Sequence, residues 1–434
     1  MNKYTNMALF AALTLTAIIC VSCENENDND NDSTQPVIEE ETFLSKILPI
    51  GRTYWDNNTK ELWLAHSGTG AAFTFVGRRL DITFVGNQNS ASNSNARVAV
   101  YVGGVRTADI LMDRKERKIT VFNVTEEFST PIDVRIIKLS ESQDSVVGIK
   151  EIAVTAVSDY GIKPAAEKPR KIEIIGDSIT AGYGIDDLGN KQTYKTATED
   201  ITKTYAYKTA MAFGADYSIV CHSGIGIISN YGTNNGDKNN PNGVMPIIYD
   251  KIGARTNPSG ETFPGGVTSL SLTWDFNKFQ PDLIVINLGT NDREYIRWSG
   301  NAHSTERGNE FVAGYVAFLK DIRTKNPNAK LLCTINLMEA NDIWPLVQRA
   351  VEDYKTETGE SDSNITAFRL PAQNTSWNSS IDANNIGTDW HPLENSNATA
   401  AIALVTEIER FMSWVKDADV LEEEETLFAG DMVR

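Results

Sequence analysis

Two kinds of periodicity divide the chain. From Phe43 to about Tyr160, apolar residues recur at every second position. Leu80, Ile82 and Phe84 alternate with Asp81 and Thr83, and Val98, Val100 and Val102 alternate with Arg97, Ala99 and Tyr101. Ile119 and Val121, then Ile132, Val134 and Ile136, repeat the pattern. A period of two marks strands that bury one face. Gly103-Gly104, between Val102 and Val105, reads as a two-residue hairpin turn, and Gly68-Thr69-Gly70 and Val85-Gly86-Asn87 read as further strand connections. The pattern predicts a small, jelly-roll-like β-sandwich over 41–162. Such a module either binds sugar and shapes a cleft or serves as a platform, and the pattern leaves both open.

A charged, proline-bearing link, Lys163-Pro164-Ala165-Ala166-Glu167-Lys168-Pro169, separates this region from one of different rhythm. Beyond it, apolar runs at 171–175, 217–221, 282–288 and 330–335 alternate with helical spacing at 202–213, 310–324, 344–356 and 398–415. Strands alternating with amphipathic helices predict a mainly parallel α/β domain over 163–417. Ligands of such sheets bind at the carboxyl ends of the strands.

Length, charge and the termini narrow the picture. A chain of 434 residues exceeds what one core usually organises, which agrees with two domains. A formal charge of -18 argues against nucleic acid as a partner, because phosphate contacts need clustered Lys and Arg. Lys3 precedes an apolar run from Met7 to Val21 with the proportions of a signal-peptide core rather than a membrane span. The run ends in Val21-Ser22-Cys23, which resembles a bacterial lipobox, with Cys20 where such boxes carry Leu. Residues 1–23 are therefore expected to direct export, with Cys23 lipidated. The alternative is plain secretion after cleavage nearby. The stretch ENENDNDND within 24–40 has no apolar residue and predicts a solvated tether. An acidic run after a lipobox Cys also resembles the surface-export signal of Bacteroidetes lipoproteins, so the expected place is the outer membrane or cell surface, with the periplasm as alternative. Contact with membrane is then through the anchor alone. Cys221 and Cys333 lie in apolar segments and are expected to be buried free thiols. No role is assignable to the tail over 418–434, and no oligomeric state is implied.

The chemical signals lie at the strand ends. The first strand breaks at Gly176-Asp177-Ser178-Ile179-Thr180, where a Ser on a sharp turn projects its hydroxyl and the following N–H groups face an anion. The second ends in Cys221-His222-Ser223-Gly224-Ile225-Gly226 and the third in Leu288-Gly289-Thr290-Asn291-Asp292; Asp389-Trp390-His391-Pro392 lies near the C-terminus. In this order the four blocks resemble those of the SGNH/GDSL hydrolases, and the resemblance spans about 171–415. It implies a flavodoxin-like hydrolase domain in which Ser178 attacks an ester and His391 acts as general base, then general acid. The N–H groups of Ser178 and Gly224 and the amide of Asn291 would form the oxyanion hole, with no cofactor or metal.

Most SGNH enzymes carry the triad acid three residues before the His, where Thr388 stands; here Asp389 lies two before. This spacing, with a preceding sandwich, is similar to carbohydrate esterase family 2, whose members deacetylate plant polysaccharides. The resemblance implies that Asp389 orients His391, a role open also to a backbone carbonyl. It further implies acetylated hemicellulose, xylan or glucomannan, as substrate. The alternatives are another ester, in peptidoglycan or lipid, or a non-catalytic glycan binder; the co-occurrence of Ser178, Asn291 and His391 argues against the last. Trp390, Trp298 and Trp344 lie near the expected cleft and suit sugar rings. Neither His66 nor His303 has a motif around it, while His222 adjoins Gly224. The Asn-, Gly- and Pro-rich segment 230–266 is long enough to border a cleft.

Overall fold

The computed structural model describes residues 43–417 apart from 87–92, 127–128, 143–144, 157–159, 190, 234, 255–261, 298–304 and 374–385. Cys23, the export and tether segments, Trp298 and the 418–434 tail lie outside the described residues.

Strands β1 (Leu48–Ile50), β2 (Thr53–Asp56), β3 (Glu61–Leu64), β4 (Gly70–Phe75), β5 (Arg79–Val85), β6 (Arg97–Val102), β7 (Val105–Leu111), β8 (Glu116–Asn123), β9 (Ile132–Lys138), β10 (Val147–Thr155) and β11 (Ile162–Pro164) build the sandwich. One antiparallel sheet runs β1-β4-β9-β6-β7, with β11 also on β4, and the other runs β2-β3-β10-β5-β8. The alternation read from the sequence is what seals it: Leu80, Ile82 and Phe84 of β5 face Val98, Val100, Val134 and Ile136 in one buried cluster. Gly103 and Gly104 both adopt positive φ, +61° and +83°, and close the β6–β7 hairpin between Val102 and Val105. Pro164 ends β11 inside the expected link. A proline is tolerated there because β11 lies at an edge and needs no ladder N–H.

The α/β half holds β12 (Lys171–Gly176), β13 (Asp216–Cys221), β14 (Leu283–Asn287), β15 (Lys330–Ile335) and β16 (Ile365–Arg369) in the parallel order β13-β12-β14-β15-β16. This is the doubly wound, flavodoxin-like order, with its crevice where the order reverses, beside β12. Helices α1 (Ser178–Ala181), α2 (Tyr205–Ala212), α3 (Met245–Ile248), α4 (Arg293–Arg297), α5 (Thr305–Lys325), α6 (Trp344–Thr358) and α7 (Glu394–Met412) connect or flank the strands. Cys221 and Cys333 are buried and unpaired with each other.

The two halves share a core. Ala99, Tyr101, Ile137 and Leu139 of the sandwich pack into the cluster that includes Ile172, Ile201, Tyr205 and Tyr217. Phe263, in the long 230–266 segment, stacks on Tyr54 with ring centroids 5.0 Å apart and lies against Trp63. Buried ion pairs cross as well: Arg106 to Asp200 at 2.8 Å and Arg52 to Glu173 at 3.1 Å. Such pairs add little net stability, but each partner depends on the other, because an orphaned buried charge costs several kcal/mol, about 3–5. The relative placement of the halves is thereby specified.

Candidate active site

The site forms where the strand order places the ends of β13, β12 and β14 side by side. Ser178 opens α1 directly after β12, and the Asp177 carboxylate caps the helix by accepting the Ile179 N–H at 3.0 Å. The Ser178 hydroxyl lies 2.7 Å from His391 Nε2. Nδ1 of the same ring lies 3.0 Å from the backbone carbonyl of Thr388. That carbonyl fixes the tautomer with hydrogen on Nδ1, so Nε2 is left to accept a proton from Ser178.

This geometry corrects the expectation for Asp389. Asp389 and Trp390 both occupy the left-handed region, at φ +51° and +68°, which is uncommon for residues with a side chain. The double curl brings the Thr388 carbonyl under the ring and turns the Asp389 carboxylate outward, where it accepts the Tyr183 hydroxyl at 3.0 Å. Asp389 is exposed and acts on His391 through its charge rather than as the Nδ1 acceptor. The curl is held by Gln373, whose amide donates to the Trp390 carbonyl at 2.7 Å, and by the Gly387 N–H on the His391 carbonyl at 2.8 Å.

Gly224 follows β13 at φ +75°, a conformation that costs a glycine little and other residues more. Two residues on, a Cβ at Gly226 would meet the Ser229 carbonyl oxygen at 1.9 Å, so only glycine fits that turn. Among the described residues, the N–H groups of Ser178 and Gly224 find no acceptor. Asn291, after β14, turns its amide nitrogen to the Ile225 carbonyl at 2.8 Å and, at a longer 3.3 Å, to Asp177. Ser178, Gly224 and Asn291 line the same cleft, an arrangement suited to a growing oxyanion once the Asn291 amide gives up its longer bond.

Two buried carboxyls sit behind these donors. Burial pushes the Asp177 carboxyl up to about 7, and the charges of Asp292 and Glu141 push the same way. Burial also lifts Asp292, to about 6, against the N–H groups of Ile228, Ile227 and Ser229 that it accepts at 2.8–3.1 Å. Asp292 therefore clamps the loop that carries Gly224. Burial lowers His391 to about 4, and the Thr388 carbonyl and the Asp389 charge work in the opposite direction. The imidazole is neutral near pH 7, as a general base must be.

A cleft of about 1100 Å³ opens over Ser178 and is lined by Tyr183, Gly224, Tyr231, Asn291, Trp390 and His391, among others. Trp390 therefore borders the site. Trp344 does not: it begins α6 and packs half-buried against the core cluster on that side of the sheet. The aromatic faces that sequence reasoning missed are Tyr183, with its ring 4.5 Å from that of His391, and Tyr231, 63% exposed at the cleft edge. Tyr183 lies between Gly182 and Gly184, and Tyr231 stands in the 230–266 segment expected at a cleft, which were the available signals. His66 is fully buried and held down to about 3, first by burial, so it stays neutral. Among the described residues no cluster of three or more His, Cys, Asp or Glu side chains is placed to hold a metal ion.

Residues 172–404 match the family model described as GDSL-like Lipase/Acylhydrolase. The chain belongs to this family. The GDSL-like hydrolase half is preceded, over residues 49–160, by a match to the model described as Carbohydrate esterase 2 N-terminal. A GDSL acylhydrolase of this layout is a carboxylic ester hydrolase. The chain is 24% identical over 407 residues to an acetylxylan esterase / glucomannan deacetylase of Cellvibrio japonicus, covering 94% of this chain and 99% of that protein. It is 30% identical over 257 residues to a cellulase/esterase of Acetivibrio thermocellus, covering 58% of this chain but spanning only 27% of that longer relative. The fold is that of an acetyl xylan esterase from the rumen bacterium Butyrivibrio proteoclasticus, with a TM-score of 0.72 at 23% identity over 85% of this chain and 96% of the other. It is also that of a family two carbohydrate esterase from Clostridium thermocellum solved in complex with cellohexaose, with a TM-score of 0.67 at 24% identity over 85% and 100%.

Proposed function

We propose that this GDSL hydrolase is an exported serine esterase that removes O-acetyl groups from hemicellulose such as xylan or glucomannan. The observation that carries the reading is the Ser178 hydroxyl held 2.7 Å from an imidazole kept neutral by burial and oriented by the Thr388 carbonyl, at the floor of an open, aromatic-edged cleft. The names of the Cellvibrio and Butyrivibrio relatives point to the same substrate class.

In the proposed reaction, Ser178 Oγ attacks the acetyl carbonyl carbon while His391 Nε2 takes the hydroxyl proton. The carbonyl oxygen becomes negative and is met by the N–H groups of Ser178 and Gly224 and the Asn291 amide, which releases its longer bond to Asp177. The imidazolium, still donating from Nδ1 to Thr388, passes its proton to the departing sugar oxygen. Water repeats the sequence on the acetyl-serine and frees acetate. Trp390 and Tyr231 offer flat faces to sugar rings at the cleft edge. The lipobox-like Val21-Ser22-Cys23 and the acidic run after it support tethering at the cell surface through Cys23.

Acetate released from acetylated xylan, glucomannan and peptidoglycan, compared side by side, tests the reading; preference for peptidoglycan would overturn the substrate. Partition of the full-length protein with membranes, lost in Cys23→Ala, is expected, and a wild-type protein found wholly in the secreted fraction would overturn the anchor.

A further inference from the structure

The loop that leaves β9 passes from the sandwich to the back of the oxyanion loop. Glu141, on this loop, is fully buried, and its Oε2 accepts the Ser223 N–H at 2.7 Å. Ser223 immediately precedes Gly224. The loop is held from its own side: the buried Lys138 ammonium donates to the backbone carbonyl of Ser140 and, at 3.0 Å, to that of Glu141, so the loop curls around a cation. Ser140 Oγ accepts the Arg97 N–H at 3.1 Å, and Ser142 Oγ accepts the Ala254 N–H at 3.0 Å. These bonds tie the loop to both halves. From the other side, the Glu141 N–H donates to Glu199 at 3.1 Å, and the same Glu199 oxygen accepts the Tyr194 hydroxyl at 2.6 Å. Tyr194 stacks on Tyr183, the ring that lies against His391, with centroids 4.0 Å apart.

Gly224 is thus bracketed. Asp292 clamps the chain at Ile227, Ile228 and Ser229, and Glu141 clamps it at Ser223. A glycine at positive φ has the widest freedom of any residue, so its N–H keeps one direction only if both flanks are fixed. A short bond of 2.7 Å from a buried acceptor is suited to that task.

We propose that Glu141 is a positioning residue for ester hydrolysis: by holding Ser223 it aims the Gly224 N–H at the acyl oxygen, so that the sandwich completes the oxyanion hole of the α/β half. Glu141 touches neither substrate nor the reacting atoms. The proposal rests on the esterase reading above and supplies the sandwich with a role that neither sugar binding nor bulk support describes.

The test uses the full chain and 4-nitrophenyl acetate, with thermal unfolding followed in parallel. Glu141→Asp, whose carboxylate stops one methylene short, and Glu141→Ala should each lower kcat by about ten- to a hundredfold with KM changed less than about threefold. Glu141→Gln, whose amide oxygen still accepts the Ser223 N–H, should stay within about threefold of wild type. In an Asn291→Ala background the cost of Glu141→Asp should shrink to less than about threefold, because the hole is already broken. Wild-type kcat in a cooperatively folded Glu141→Asp or Glu141→Ala would overturn the proposal, as would a rise in KM alone, a Gln variant as slow as Ala, or fully additive losses. Should Glu141→Ala not fold, the Asp and Gln pair decides. Ser178→Ala run beside them separates the two readings. Turnover present in wild type and lost there upholds the esterase whatever the Glu141 variants do, and no wild-type turnover overturns both.

Discussion

The α/β half and the sandwich reach the same cleft by different means. In the α/β half, β13, β12 and β14 are neighbours in register, with Gly176 opposite both Cys221 and Asn287. The residues that follow each strand, Gly224, Ser178 and Asn291, must then emerge at one edge. In the sandwich no such rule operates. Glu141 stands on a loop wrapped around a buried lysine and meets Ser223 across 82 residues of sequence. A group placed by sheet topology leaves a motif, whereas one placed by packing leaves only a buried charge.

Variants that strike the topological side should have the largest effects. Ser178→Ala is expected to lose at least about ten-thousand-fold in kcat on an activated ester with its unfolding transition unchanged, since among the described residues Ser178 is the hydroxyl bonded to His391 Nε2. Retained turnover would move the chemistry elsewhere. Asn291→Ala follows, with kcat down by about a hundred- to a thousandfold and KM little altered, because its amide is needed chiefly when charge grows on the oxygen. A rise in KM alone would make it a binding residue.

Asp389→Asn tests the curl before His391. With Nδ1 already on the Thr388 carbonyl, the loss should be only about tenfold in kcat/KM. A loss near ten-thousand-fold would mean that the carboxylate reaches Nδ1 during turnover. The same variant has a sign in pH. In the proposed reaction the neutral His391 is the base and is lowered to about 4, so wild-type activity should hold to about pH 5 and fall as pH drops through 4. The Asp389 charge raises that value, so its removal should move the acid limb to lower pH. A limb near the ordinary histidine value of about 6.5 would mean that desolvation does not lower the ring. The smallest effect belongs to Trp344→Ala: it lies off the cleft, so kcat/KM on acetylated xylan should stay within about twofold while Trp390→Ala raises KM.

Legibility followed burial on each strand. The α/β strands read as continuous apolar runs because both their faces are covered, as Leu283–Asn287 is throughout. The edge strand β16 escaped notice, since Ile365–Arg369 is mostly half-exposed and its Thr and Arg break the run. Helix α4 has only five residues, too few to show a period. Trp344 looked like a cleft residue because it follows the fourth strand; in space, it is the first residue of α6 and packs against the core.

By itself the sequence determined the two halves, the hairpin at Gly103-Gly104 and the strand ends, while its resemblance to the SGNH/GDSL hydrolases implied the partnership of Ser178 with His391. The halves, the hairpin and the strand ends rest on local periodicity and on turn residues, and strand order then brings Gly224, Ser178 and Asn291 to one edge. Tertiary structure alone decided which oxygen faces Nδ1. Thr388 and Asp389 are adjacent, and the choice depends on two successive left-handed residues stabilised by Gln373 and Gly387 rather than by anything between them. It alone also decided that a sandwich carboxylate holds Ser223. A buried Glu, unlike a strand-end serine, is recognised only by the N–H groups that surround it, and those come from a distant part of the chain.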